Sequence, residues 1–236
     1  MVDVSHLPLS NIYTFFRRTI MSFVIAVLVG LVGMIACMFY VGDLYGIERK
    51  KMAISAVCMV LAGIVSSYIM AFVESGHWGG RSFYGGVFLV PLFMYFVAKY
   101  LKIRYGELMD ACAPAASFLL SAMKIQCLID GCCYGRLFMT TQYAFRFPSQ
   151  IVECLFAFIL MIVMLAIIKK GDQRNLVCAW WLVIYGAGRF ILNLLRETTP
   201  WIGPLPAGNV WSLLAIIIGI IVLVVNKRKV QPKPVN

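Results

Sequence analysis

Apolar residues gather into seven runs, at about 19 to 41, 52 to 73, 86 to 101, 108 to 129, 150 to 168, 177 to 195 and 210 to 226. Short polar stretches separate them, and the third run is the shortest. A hydrocarbon layer of roughly 30 Å takes about 20 residues of helix to cross, so runs of this length are candidate transmembrane helices. The pattern predicts an all-α integral membrane protein of about seven such helices. No linker, charge block, low-complexity tract or internal repeat interrupts the series, so residues 1–236 are read as a single transmembrane domain.

Composition agrees: 62% of residues are hydrophobic and 13% charged, where soluble domains carry about 25% charge. The formal charge of +11 would suit a nucleic-acid partner, but its placement argues against one. Arg49, Lys50, Lys51, Lys99, Lys102, Arg104, Lys169, Lys170, Arg174, Lys227, Arg228, Lys229 and Lys233, thirteen of the 21 basic residues, fall in alternate connections and the carboxy-terminal tail. Arg17, Arg18, Arg81, Arg136, Arg146 and Arg196 fall on the other side. The positive-inside rule then sets the carboxy terminus in the cytoplasm and the amino terminus outside, in a bacterial-type plasma membrane. Arg17 and Arg18 ahead of a run that reaches Met34-Ile35-Ala36-Cys37 resemble a loose lipobox, but the basic pair sits on the wrong side for a leader. The first helix is therefore expected to stay, with Cys37 as ordinary packing.

Two cations, Lys124 and Arg189, lie inside predicted spans, where a charge costs roughly 2.5 to 3.5 kcal/mol at mid-bilayer and usually faces the bundle interior. On the proposed topology both lie toward the outer ends of outward-running helices. Helical spacing extends them into stripes, Ser117, Ser121, Lys124 and Cys127 on one helix and Tyr185, Arg189, Asn193 and Arg196 on the other. Facing one cavity, the stripes would bind an anionic group such as a phospholipid headgroup, with Arg as a bidentate fork and Lys as a point charge. The competing structural reading has Lys124 snorkelling to the interface and Arg189 paired with Glu197 or Glu153.

The unusual residues collect in three connections on that same side. They are His77-Trp78-Gly79-Gly80-Arg81-Ser82-Phe83-Tyr84-Gly85-Gly86, then Asp130-Gly131-Cys132-Cys133-Tyr134-Gly135-Arg136, then Arg146-Phe147-Pro148-Ser149-Gln150 with Glu153. Paired glycines let backbone amides approach a ligand, though alone they are ordinary turns. Cys127, Cys132 and Cys133 admit a disulfide, a nucleophile or small packing residues, with packing or a disulfide favoured. Without a CxxC or a neighbouring His pair, no metal site and no cofactor are expected. Cys58, Cys112, Cys154 and Cys178 read as core.

At these residues the chain resembles the prolipoprotein diacylglyceryl transferases, bacterial membrane enzymes of seven helices with an outward amino terminus. Gly79-Gly80-x-Ser82-Phe83-x-Gly85-Gly86 is similar to the family's first signature, and Gly135-Arg136 closes its second. Phe147-Pro148-Ser149-Gln150-x-x-Glu153 resembles the third, and Tyr185-Gly186-x-x-Arg189 with Arg196-Glu197 the last. The resemblance implies transfer of diacylglycerol from phosphatidylglycerol to a lipobox thiol, with arginines near the phosphate and a His in the first signature. Against that pattern Tyr84 stands for the His, Lys124 for an Arg, Cys127 and Cys132 for Asn and Glu, and Asn193 for a glutamate. Tyr185, Gly135 and Arg189 are unchanged.

The resemblance therefore implies catalytic roles for Tyr84, Lys124, Arg189 and Cys132, with His77 as an alternative base. Substrate contacts are expected at Gly85, Gly86, Gly135, Arg136, Arg146, Gln150, Glu153, Tyr185, Asn193 and Arg196. Tyr84 would act as a base only if cations such as Arg81 lowered its ordinary value of about 10. The connection between the fourth and fifth helices is short for the family's outer head region, which bears on recognition of a protein acceptor. Two functions stand side by side: a diverged transferase acting on an anionic phospholipid with a thiol or hydroxyl acceptor, and an altered paralogue that binds, presents or moves lipid or holds a membrane partner. An ion-coupled transporter fits less well, since intramembrane carboxylates are scarce.

Reporter fusions check the orientation. A fluorescent protein after Asn236 should fluoresce, and alkaline phosphatase joined after Arg136 should be active; the reverse pattern would invert the topology.

Overall fold

The structure, a computed structural model, describes residues 9–78, 80, 82–139, 144–197, 201–202 and 204–230. Gly79 and Arg81 of the first glycine-rich connection lie outside the described residues, as do Lys233 and the side chains of Arg17, Arg18, Lys227, Arg228 and Lys229.

The seven apolar runs are all helices: α1 (Leu9–Tyr45), α2 (Arg49–Ser75), α3 (Phe83–Leu101), α4 (Tyr105–Ile129), α5 (Ser149–Lys170), α6 (Val177–Leu194) and α7 (Ala207–Val230). Each is long and apolar enough to cross a membrane, so the chain is a multi-pass, all-α membrane protein. Turn residues stop the helices where the sequence changes character. Gly76, in the left-handed region at φ 72°, returns its N–H to the Phe72 carbonyl and ends α2. Gly171, at φ 79°, does the same for α5 after Lys169 and Lys170. Two features lie beyond the hydropathy pattern. α1 begins well before its apolar run, and two short antiparallel hairpins fold the connections, β1 (Leu137–Met139) with β2 (Ala144–Arg146) and β3 (Trp201–Ile202) with β4 (Leu205–Pro206).

α4 is the central helix, packed on α1, α5, α6 and α3, while α2 pairs with α3 and α6 with α7. Its sequence suits that place. Ala111, Ala113, Ala115, Ser117 and Ala122 are all buried, and small side chains let neighbouring backbones approach where lipid supplies no hydrophobic drive for association. Methionines fill the remaining gaps, with Met34, Met38, Met52, Met94 and Met164 fully buried. Large apolar side chains such as Val32, Leu92, Phe96, Ile159 and Ile191 point outward, as a lipid-facing surface requires. Gly85 on α3 is a close-approach residue: a Cβ there would sit 2.0 Å from the Ser66 carbonyl oxygen of α2. Its role is helix packing, not the ligand contact expected from its motif.

At the end where α4 and α6 begin, Asp110 is fully buried. It accepts the backbone N–H groups of Asn175 (2.6 Å) and Cys178 (3.2 Å) and the Tyr45 hydroxyl (3.1 Å), satisfying donors that the start of α6 leaves free. Glu107 pairs with Arg174 at 2.9 Å, and the Arg174 guanidinium lies 4.5 Å from the Tyr45 ring centre. A cavity of about 530 Å³ opens nearby between α3, α4, α6 and α7, lined by Pro91, Tyr105, Met109, Leu182, Ile218 and Val222. It lies toward the opposite end of the bundle from Lys124 and Arg189 and does not join them.

Asp110→Ala removes three accepted hydrogen bonds at once. It should destabilise the folded protein by about 1 to 3 kcal/mol, read as a lower unfolding temperature in detergent, and an unchanged transition would deny Asp110 its structural role.

Candidate functional site

The polar positions that sequence spacing places on α4 and α6 meet over a residue from a third helix. Glu153, one turn into α5 and nearly fully buried, lies 2.5 Å from Lys124 Nζ, 2.5 Å from Arg189 Nη1 and 3.8 Å from Arg196 Nε. Lys124 and Arg189 are themselves buried, at 8% and 7% exposure. Neither snorkels to the interface nor reaches Glu197, which pairs instead with Arg146 at 3.2 Å. Of the alternatives open from sequence, the pairing of Arg189 with Glu153 is the one realised, and Lys124 shares the same carboxylate.

The charges do not balance. Three cations, Lys124 and Arg189 buried and Arg196 partly exposed, surround one carboxylate, and only the nearby Cys133 thiol, held low in part by Lys124 and Arg196, offsets some of the excess. Polar atoms there are also unspent: Arg189 Nε and Nη1, Arg196 Nε, the Tyr185 hydroxyl and both Glu153 carboxylate oxygens are buried without a hydrogen-bond partner among the described residues. Tyr185 is fully buried and stacked on Trp181 at 4.7 Å between ring centres, while the Trp181 indole N–H donates to Ser117 at 2.7 Å. Buried unpaired charge is costly, so this arrangement is suited to an added anion.

Tyr84 takes a different place from the one expected of a base. Its hydroxyl lies 2.8 Å from the Gly208 carbonyl and 2.7 Å from Ser212 Oγ, and it accepts from Asn193 Nδ2 at 3.1 Å. Ser212 Oγ also donates to the Gly208 carbonyl at 2.7 Å, so the phenol is engaged in a network that shares its one donor and its lone pairs among these neighbours. Tyr84 and Asn193 thus tie α3, α6 and α7 together beside the cation cluster. Ser212 and Asn209, the latter donating to the Phe190 carbonyl at 3.2 Å, escaped notice in the sequence, though two polar residues three apart in an apolar run signal a buried polar face.

Backbone contacts explain other motif positions. Gly135 forms an isolated bridge with Arg196, and Arg136 N–H reaches the Leu195 carbonyl at 2.7 Å, docking the α4–α5 connection against the end of α6. A Cβ at Gly135 would meet the Phe147 carbonyl at 2.3 Å. Gln150 donates to the Cys132 carbonyl at 2.7 Å and Ser149 to the Cys133 carbonyl at 2.6 Å. Gly135, Gln150 and Asn193 therefore support the site from behind. Arg136 is exposed, and Arg146, half-exposed, also lies over the Tyr134 ring at 4.9 Å. Gly86 faces open space. His77 is exposed in the turn after α2, its backbone N–H on Ser75 Oγ at 3.3 Å, and no described contact brings it to Tyr84.

Cys127, at the end of α4, and Cys132 and Cys133, in the connection after it, bring their sulfur atoms within 4.8 Å of one another. A shared hydrogen bond with Cys127 pushes the Cys133 thiol down to about 5, helped by Lys124 and Arg196 and opposed by burial. Burial raises the Cys132 thiol.

A family profile described as prolipoprotein diacylglyceryl transferase matches residues 11–225. The chain is similar to the phosphatidylglycerol–prolipoprotein diacylglyceryl transferases of Geobacter sulfurreducens, 30% identical, and of Clostridium tetani, 26% identical. The first alignment takes in 65% of each chain, and the second 64% of this chain and 66% of the relative. The Enterobacter sp. enzyme of the same name is 27% identical over 65% of each chain. This chain thus spans about two thirds of the length of the relatives it matches.

Removal of the shared carboxylate exposes the imbalance. Glu153→Gln should destabilise the protein by about 3 to 5 kcal/mol, because it strands buried cations. Glu153→Gln combined with Arg189→Met should be less harmful than the sum of the two single changes. Strict additivity in denaturation would deny the coupling.

Proposed function

The chain belongs to the prolipoprotein diacylglyceryl transferase family, and from that membership we propose that it transfers a diacylglyceryl-type group from an anionic phospholipid to a thiol or hydroxyl acceptor at the outer leaflet. Phosphatidylglycerol, from which the similar enzymes take their names, is the donor we assign. The observation that carries the reading is the surplus of buried positive charge around Glu153. A lipid phosphate entering beside Arg189, Lys124 and Arg196 would balance it.

In the proposed reaction the acceptor's sulfur or oxygen gives its proton to solvent and attacks the glycerol carbon that bears the phosphate ester. The new bond to carbon forms as the carbon–oxygen bond breaks, and glycerol phosphate leaves with the electron pair. Negative charge grows on the departing phosphate, where Arg189 and Lys124 can stabilise it more strongly than in the ground state. Glu153 holds both cations in position before the lipid arrives, a form of preorganisation. Tyr185, stacked and buried with a free hydroxyl, can donate to a phosphate oxygen.

A second reading, lipid binding or presentation without turnover, is favoured by the engagement of the Tyr84 hydroxyl with Gly208, Ser212 and Asn193 and by the exposed His77. Purified protein incubated with labelled phosphatidylglycerol and a lipobox peptide should release glycerol phosphate. Arg189→Ala should slow that release by at least about 100-fold, the usual loss for a charge-stabilising donor. Retained lipid with no glycerol phosphate from thiol or hydroxyl acceptors would favour the binding role and end the catalytic one.

A further inference from the structure

The geometry points to a three-thiolate site at Cys127, Cys132 and Cys133 for a soft d¹⁰ cation of the zinc class, with its fourth coordination position open to an acceptor thiol. It rests on the transferase reading only for the identity of that fourth ligand. Sequence spacing argued against any metal, because the ligands follow no CxxC pattern and no His stands nearby. The turn after α4 supplies what linear spacing does not. Gly131, at φ 63°, ends the helix, and the Cys132 N–H returns to the Cys127 carbonyl at 3.0 Å. Cys133 then adopts φ 59°, a left-handed conformation that a residue with a Cβ rarely takes, which turns the chain again. Both bends bring the later thiols back over the last turn of α4.

The loop is held from behind. Ser149 and Gln150, in the first turn of α5, clamp the carbonyls of Cys133 and Cys132 at 2.6 and 2.7 Å. The sulfur atoms lie within 4.8 Å of one another. A metal bound by sulfur at about 2.3 Å sets its ligands roughly 4 Å apart, so movements of some tenths of an ångström complete the set. Two further features choose the cation. All three donors are soft sulfur, which selects zinc-like or monovalent copper-like ions over magnesium or calcium. A divalent ion with three thiolates carries one net negative charge, and Lys124 stands three residues before Cys127 on the same face of α4.

Three protein ligands with one open position is the arrangement of zinc sites that bind substrate directly. Cys132 is exposed, so that position can be reached from solvent. A thiol binding there would release its proton to solvent and remain as a thiolate beside the lipid phosphate. Its sulfur would then form the bond to the glycerol carbon as the phosphate departs, and the resulting thioether would be a weak ligand that leaves. Such a site would deprotonate the acceptor where the Tyr84 hydroxyl is already engaged and no described contact brings His77 to it.

The test uses the full chain, purified in detergent with reductant and titrated with zinc alone against a chromophoric chelator. One zinc per chain is expected, with affinity lowered at least about 10-fold by each of Cys127→Ser, Cys132→Ser and Cys133→Ser. Cys58→Ser should leave binding unchanged. Substituted cobalt should show sulfur-to-metal charge-transfer bands that shift when N-acetylcysteine is added. Zinc binding that survives the three serine variants, or absence of stoichiometric binding by the reduced wild type, would overturn the site. Unmoved cobalt bands would overturn its open position. Each readout is independent of glycerol phosphate release, so a failed transferase assay leaves the metal result standing.

Discussion

One carboxylate organises the Lys124 end of this bundle. Glu153 reaches from α5 to Lys124 on α4, Arg189 on α6 and Arg196 just beyond α6, and no other acidic residue among the described ones shares those contacts. A low-dielectric interior makes the arrangement demanding, since an unpaired ion there costs several kcal/mol. Glu153 therefore couples three segments whose mutual placement would otherwise rest on apolar packing, which in a membrane is only weakly directional. The surplus charge that remains gives the cluster its proposed use.

The opposite end answers to the same logic with opposite sign. Asp110 is buried beneath the start of α6 and is satisfied by backbone N–H groups and a phenol, while Glu107 takes Arg174. Those acids leave no unspent donor of the kind seen at Arg189. The bundle is thus pinned at one end by a satisfied capping network and at the other by an unbalanced ionic one. That asymmetry distinguishes a structural polar cluster from a candidate ligand site.

Changes from the family's signatures become coherent in three dimensions. Tyr84 fills its place as a junction of hydrogen bonds to Asn193, Gly208 and Ser212, so its size and its hydroxyl both serve packing between α3, α6 and α7. Lys124 keeps the charge needed beside Glu153 without the fork of an arginine. Cys127 and Cys132, which stand where the resemblance has amide and carboxylate groups, gather with Cys133. The cationic half of the site keeps its charge, and the half to which the resemblance assigns proton transfer is rebuilt.

The sequence alone determined the seven helices and the placing of Lys124 and Arg189 within two of them, because hydropathy and intramembrane charge act locally along the chain; the structure decided that both are buried. The resemblance carried by Tyr185, Arg189, Gly135 and Glu153 also lay open in linear order, and the family match over residues 11–225 agrees with it. Only the tertiary structure decided that Glu153 is the common partner, that Tyr84 is bonded to α6 and α7, that Gly85 serves helix contact and that three separated thiols converge. Each of those outcomes depends on the rotation of one helix against another or on left-handed turns at Gly131 and Cys133. Residue spacing within a single segment holds no information about either.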